Sequence, residues 1–276
     1  MAEKLGDQTL TKTVRLQASK EAHVPSVLYN SQMTTPPNTI TSGALIDPSN
    51  EASAAERRRR WFELCLVLLV ACGGYLVRSL YFLLHGPSVA PQFSSFTWAG
   101  GIVHQTTALL LLGYVLSRRG LSFAYLGLRW SPRDVGMSLL VIIVSYSSYL
   151  LGHALIQTIH QLMYGTWFIG PTAKDFFPHP SLATIPFLLL NPFFEELIVR
   201  AYVMTEVIEL TGSSALAVAL SVGVQFSYHL YYGWVGAISL SFFFFALALY
   251  FARSRCALPV IAAHGFFDLY ALIRAW

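Results

Sequence analysis

The chain has 276 residues, of which 55% are hydrophobic, 14% aromatic and only 12% charged, with a formal net charge of +4 and a mean hydropathy of +0.54. Soluble domains carry about a quarter of their residues charged, so this composition excludes an ordinary soluble enzyme. The cations sit beside apolar runs instead of forming a stripe with interleaved aromatics, which speaks against nucleic acid and for membrane orientation.

Residues 1–56 are rich in Ser, Thr, Pro and Asn, with apolar residues too scattered to form a periodic face, and are expected to form a disordered cytoplasmic tail. The tail lacks an apolar core and cleavage pattern of the secretory type. Ala2 stands where myristoylation needs glycine. Arg57, Arg58, Arg59 and Arg60 follow, directly ahead of the first long apolar segment.

About 20 residues cross the hydrocarbon. Seven segments of that size are expected to span, at about 61–84, 96–117, 135–159, 182–208, 214–232, 234–252 and 256–273. Too few polar positions lie on any face for soluble amphipathic helices. In lipid every backbone amide needs a partner within its own segment. The expected fold is therefore all-α, a polytopic membrane helix bundle of about seven helices after the disordered tail, with 57–276 as one integral-membrane domain.

Arg57 to Arg60 precede the first span, Arg118, Arg119, Arg129 and Arg133 join the second to the third, and Arg253 and Arg255 join the sixth to the seventh. The alternate connections carry only Lys174, Arg274 follows the last span, and Arg78 is a weak exception within the first. The positive-inside rule then places the amino terminus and the Arg-rich loops in the cytoplasm, and an odd span count places the carboxyl terminus outside. The connection at 160–181, with Gly165, Gly170, Pro171, Pro178 and Pro180, reads either as a cap over a cavity or as an inert connector. Cys65, Cys72 and Cys256 have no metal or redox spacing and read as small core residues.

Ionisable residues at membrane depth cost at least a few kcal/mol each and normally face a partner or a wet cavity. Glu195, Glu196, Arg200 and Asp268, with His229 and His264, are in this class. Four-residue spacing stacks Glu196 and Arg200 on one helix face, which leaves Glu195 facing elsewhere. A poorly solvated acid without its own cation suits a general base or acid near neutral pH, and Pro192 in the same helix removes a backbone donor beside it. The alternative is a buried ion-pair staple. His229 reads either as a hydrogen-bonded core residue or as a catalyst. His264 and Asp268, four apart, form either an oriented histidine or a helix-locking hydrogen bond. Separate burial of three such clusters would leave each penalty uncompensated. They are therefore expected to converge on one cavity, where Glu and His activate a water and His264 with its neighbour stabilises an oxyanion.

The order Glu-Glu-x-x-x-Arg at Glu195, Glu196 and Arg200, then His229, then His264-x-x-x-Asp268, resembles the CPBP family of intramembrane proteases, which holds the CAAX proteases and bacteriocin-processing (Abi) enzymes, including type II CAAX prenyl endopeptidases and proteins similar to lysostaphin resistance protein A. The resemblance covers about residues 120–273, including Phe123-Ala124-Tyr125-Leu126-Gly127-Leu128, similar to a short cytoplasmic element ahead of the family core. It implies a membrane-embedded endopeptidase in which Glu195 is the catalytic glutamate, Glu196 and Arg200 complete its motif, His229 helps activate water, and His264 and Asp268 flank the oxyanion. The implied substrate is a membrane-tethered protein cut near its carboxyl end, of the CAAX or carboxyl-terminal sorting-signal class. The partners are that substrate and the bilayer, without nucleic acid, and the expected location is a bacterial inner membrane rather than the endoplasmic reticulum.

Two positions depart from the family pattern. Gln225 stands where Phe is usual, which weakens a packing role, and Asp268 stands where Asn is commoner. An ionised carboxylate only accepts hydrogen bonds, so Asp268 is expected to orient His264 and leave that ring to donate. The expected chemistry uses no metal. The alternative is a zinc ion on Glu195, His229 and His264, an open His2Glu set without the H-E-x-x-H motif. The competing functions are a non-proteolytic immunity or scaffold protein of the same family and a proton-coupled transporter. Against the transporter, no repeated half with broken helices is visible.

Overall fold

The computed structural model describes residues 48–85, 94–170, 172–177 and 181–275, excepting the side chains of 48–52 and 176. Every regular element among them is helical. Nine α-helices follow in order: α1 Pro48–His85, α2 Ser95–Arg118, α3 Pro132–Tyr164, the single turn α4 Ala173–Phe176, α5 Thr184–Glu195, α6 Val203–Thr211, α7 Ser214–Tyr228, α8 Gly233–Ser254 and α9 Leu258–Ala275. A π-helical stretch, Glu196–Tyr202, joins α5 to α6, and short 3-10 turns occupy Phe123–Leu126 and Leu230–Tyr232.

The tail expected over 1–56 lies outside the described residues up to 47. Residues 48–56 are helical and open α1, because Glu51, Ala52, Ala54, Ala55 and Glu56 are strong helix formers that continue into the apolar run. Five helices are long and apolar enough to cross a membrane: Ser53–His85, Ser95–Arg118, Pro132–Tyr164, Leu230–Ser254 and Leu258–Ala275. They coincide with five of the seven expected spans. The other two differ in kind. The segment expected at 182–208 is one helical run from Thr184 to Thr211, interrupted by the π-helix and carrying the acids, while α7 is only 15 residues long.

The Thr184–Thr211 run is the centre of the bundle. Residues Glu196 to Tyr202 are all buried, and Ile198, Val199, Ala201, Tyr202 and Met204 are fully so. The outer helices turn apolar side chains outward instead, as Leu139, Ile143, Leu150 and Leu151 of α3 show. That inversion suits lipid as solvent. α3 packs on α8 and α9, α2 on α5, and α7 on both α6 and α8.

Side-chain bonds tie the Arg-rich helix ends together. Arg60 Nε meets Glu206 Oε2 at 2.8 Å and its Nη2 meets Glu209 Oε2 at 2.5 Å, while Arg119 Nη1 meets Glu206 Oε1 at 2.7 Å. Arg57 donates to the Leu210 carbonyl at 3.3 Å, and the Tyr125 hydroxyl donates to Glu209. Burial and that carboxylate push the Tyr125 phenol up to about 12. The 3-10 turn at Phe123–Leu126 docks on the α8–α9 connection, where Ala257 N–H donates to the Gly127 carbonyl at 3.0 Å. Gly127 has φ of 80°, and a Cβ there would lie 2.0 Å from the Arg255 carbonyl oxygen.

Candidate active site

Glu195 ends α5 where the helix widens. Its side chain is buried, and its Oε2 accepts two hydrogen bonds, from Tyr228 Oη at 2.6 Å and from Gln225 Nε2 at 3.3 Å. Both donors use the same oxygen, so Oε1 is left for a further partner. The irregularity expected from Pro192 appears as the π-helix that follows Glu195. Such widened turns leave carbonyls and side chains outside the regular ladder and recur at functional sites.

Glu196 points elsewhere, as adjacent helical positions must. It is fully buried and shared between two cations or potential cations: Arg200 Nε at 3.1 Å from Oε2 and His264 Nδ1 at 2.9 Å from Oε1. Arg200, also fully buried, donates through Nη1 to Ser221 Oγ at 2.6 Å and through Nη2 to Gln225 Oε1. Gln225 is thereby fixed at both ends of its amide, accepting from Arg200 and donating to Glu195. The residue that departs from the family's Phe is a bonded bridge between the motif arginine and the first glutamate. Its role is polar, where the sequence suggested only weakened packing.

His229 caps α7, and its Nδ1 lies 2.8 Å from the Gln225 carbonyl oxygen. A carbonyl only accepts, so Nδ1 carries the proton and the neutral ring keeps its lone pair on Nε2. In α9, His264 Nδ1 faces the Glu196 carboxylate, while its Nε2 is 3.7 Å from Asp268 Oδ1. The carboxylate that orients His264 is therefore Glu196, which corrects the expectation for Asp268. Asp268 is held differently: its Oδ2 accepts from Asn191 Nδ2 at 3.0 Å, and Asn191 Oδ1 accepts from Gln105 Nε2 at 2.7 Å. α9 comes close to α5 because position 265 is glycine, where a Cβ would sit 3.2 Å from Pro192 Cγ.

Glu195, His229, His264 and Asp268 all line one cavity of about 150 Å³. Trp98, stacked on Phe177 at a centroid distance of 5.5 Å and tilted against Phe187 at 4.9 Å, covers part of it. The connection that ends at 181 thus contributes Phe177 to the cover, while Pro171, Pro178 and Pro180 lie outside the described residues. Tyr228, Asn191, Gln105 and Ser221 stand outside the sequence motif but are hydrogen-bonded to its residues or to their partners. Gln225, Tyr228 and His229 fall at i, i+3 and i+4 of α7, a spacing that places them on one face. Gln105 is a buried amide inside an apolar span, which by itself demands a partner.

Among the described residues no three His, Cys, Asp or Glu side chains are grouped so as to hold a metal ion.

Residues 177–270 match the family model described as Type II CAAX prenyl endopeptidase Rce1-like. That stretch is similar to the Rce1-like family. That stretch holds every motif residue from Glu195 to Asp268. No curated protein and no solved structure matches the chain. The matched stretch includes α5 to α8 and most of α9, but not α1 and α2, which supply Tyr75, Arg78, Ser79 and Trp98 to the cavity wall.

Proposed function

We propose that the protein is an intramembrane endopeptidase that hydrolyses a peptide bond near the carboxyl end of a membrane-tethered protein, with Glu195 and His229 activating the water. The observation that carries this reading is the meeting, at one cavity, of a carboxylate with one oxygen committed and one open, and an imidazole with its Nε2 lone pair uncommitted. The membrane helices and the Rce1-like match support the same class.

Water placed between Glu195 Oε1 and His229 Nε2 loses a proton to the carboxylate as its oxygen attacks the carbonyl carbon. The C=O π electrons move to the oxygen, giving a tetrahedral oxyanion. His264, protonated on both nitrogens, donates through Nε2–H to that oxygen while Glu196 holds Nδ1. On collapse the C–N bond breaks, and the proton held by Glu195 passes to the departing amine. Asp268 stabilises the His264 charge from 3.7 Å and is kept aside by Asn191. No step in this scheme requires a metal.

The test is cleavage of a membrane-anchored substrate by wild type, Glu195→Ala and the exposed-charge control Glu56→Ala. Loss of a general base costs about 100-fold or more, so Glu195→Ala should lose at least that much while the control keeps full rate. Equal cleavage by all three removes the reading. Activity that survives exhaustive chelation supports the metal-free scheme, and loss restored by zinc overturns that part alone. A phenotype retained by Glu195→Ala would favour the non-proteolytic scaffold.

A further inference from the structure

The bundle has two chemically different ends, and the cavity belongs to one of them. Arg57, Arg60, Arg119, Glu206 and Glu209 meet at the first end through the bonds described above, and Arg255 joins them by donating to Thr205 Oγ1 at 3.4 Å. Arg129, Arg133 and the α8–α9 connection lie at the same end, since Gly127 pairs with Ala257 and Cys256 Sγ is 3.5 Å from Asp134 Oδ1.

Helical rise locates the cavity relative to that end. At 1.5 Å per residue, Glu195 lies about 16 Å along its helix from Glu206, His229 about 22 Å beyond the start of α7, and Arg78 about 27 Å from Arg60. Against a hydrocarbon thickness of about 30 Å, the reacting groups occupy the half remote from the arginines. The wall gives the same answer. Trp98 stands in the first turn of α2, Phe177 lies in the connection between α3 and α5, Phe187 is in the first turn of α5, and Tyr231 and Tyr232 belong to the turn before α8. All are remote-end positions, and the lining includes no residue of 118–133, 205–214 or 253–258. A second cavity of about 270 Å³ shares Tyr75, Arg78, Trp98 and Phe187 with the first and extends it between α1 and α2 at that same end.

Cationic ends stay in the cytoplasm. We infer that the active site opens toward the extracytoplasmic face, and that its substrate is an exported, membrane-anchored protein whose scissile bond is presented from that side, not a prenylated protein on the cytoplasmic surface. This rests on the proteolytic reading for the word substrate, whereas the direction of opening rests on the cation distribution and the cavity wall.

The experiment has two arms. In cells expressing a variant with Cys65, Cys72 and Cys256 replaced by alanine, a membrane-impermeant maleimide should label Thr166→Cys from outside, and should label Ser122→Cys only after permeabilisation. The reverse pattern overturns the inference whatever the enzyme cuts. With the native cysteines in place, two probes are supplied. One is an exported reporter anchored by a carboxyl-terminal apolar helix followed by basic residues. The other is a farnesylated CAAX peptide at the cytoplasmic face of inverted vesicles. Cleavage of the reporter, lost at least 100-fold in Glu195→Ala, supports the inference. Glu195-dependent cleavage of the farnesylated peptide overturns it while leaving the proteolytic reading intact. Failure of wild type to cut either probe overturns the proteolytic reading, and the labelling then still decides which face the cavity opens to.

Discussion

Glu195 depends on a neighbour that the motif does not name. Tyr228 donates to Oε2 at 2.6 Å, whereas the Gln225 bond to the same oxygen is long at 3.3 Å. Tyr228 is therefore the stronger of the two groups that decide which oxygen faces the water. A hydrogen bond to a charged group is worth about 1.5–3 kcal/mol, which corresponds to about a 10- to 100-fold change in rate. Tyr228→Phe should lower kcat by that factor with KM and thermal stability little changed, because the ring still packs against Tyr75 and His229. Steady-state kinetics on purified protein check it, and an unaltered kcat would remove Tyr228 from the positioning role. The motif itself was legible at residue scale because acids are so rare in the apolar part of this chain. The partner of His264 was not. Asp268 is four residues away on the same helix, but Glu196, 68 positions away in sequence, is the closer carboxylate. Local spacing sees only contacts along one helix.

The elements followed the apolar runs closely, and the departures have local causes. α1 begins early because a helix-forming segment is fused to the span without a breaker. The central run escapes a simple hydropathy reading because its charges, Glu195, Glu196, Arg200 and Glu206, are buried against partners instead of facing water. The 3-10 turn ahead of α3 shows how a short element becomes essential to packing. Gly127 combines a left-handed backbone with contact against Arg255, so Gly127→Ala meets both a strained φ and a clash with main chain that no rotamer can relieve. Backbone strain of this kind costs about 1–3 kcal/mol. The variant should unfold at lower temperature in detergent and detach the turn from the α8–α9 connection. Faster hydrogen exchange at the Ala257 amide, which bonds to the Gly127 carbonyl, is the measurement that reports it.

For the whole molecule, the Arg-rich end acts as a clamp as well as an orientation signal. Glu206 is fully buried and holds Arg60 and Arg119 from two other helices. Removing one partner of a buried ion pair costs about 3–5 kcal/mol, because the remaining charge is left uncompensated. Glu206→Gln should therefore destabilise the bundle by about 3 kcal/mol or more, read as a lower midpoint in denaturant titration of micellar protein. The sites are independent enough that any residual folded protein should keep the pH profile of wild type. A midpoint unchanged by the substitution would show that the three helices are held by packing alone.

By itself the sequence determined the solvent of this protein, the helical class, the apolar runs that build the bundle and the identity of the polar residues that needed an explanation. These follow from composition and local periodicity, which are properties of neighbouring residues. Tertiary structure decided the rest: that Glu196 rather than Asp268 orients His264, that Gln225 bridges Arg200 to Glu195, that Tyr228 commits one carboxylate oxygen, and that the cavity sits away from the arginines. Each of these depends on side chains from helices distant in sequence meeting at one depth, and that depth is set by how the helices pack against one another.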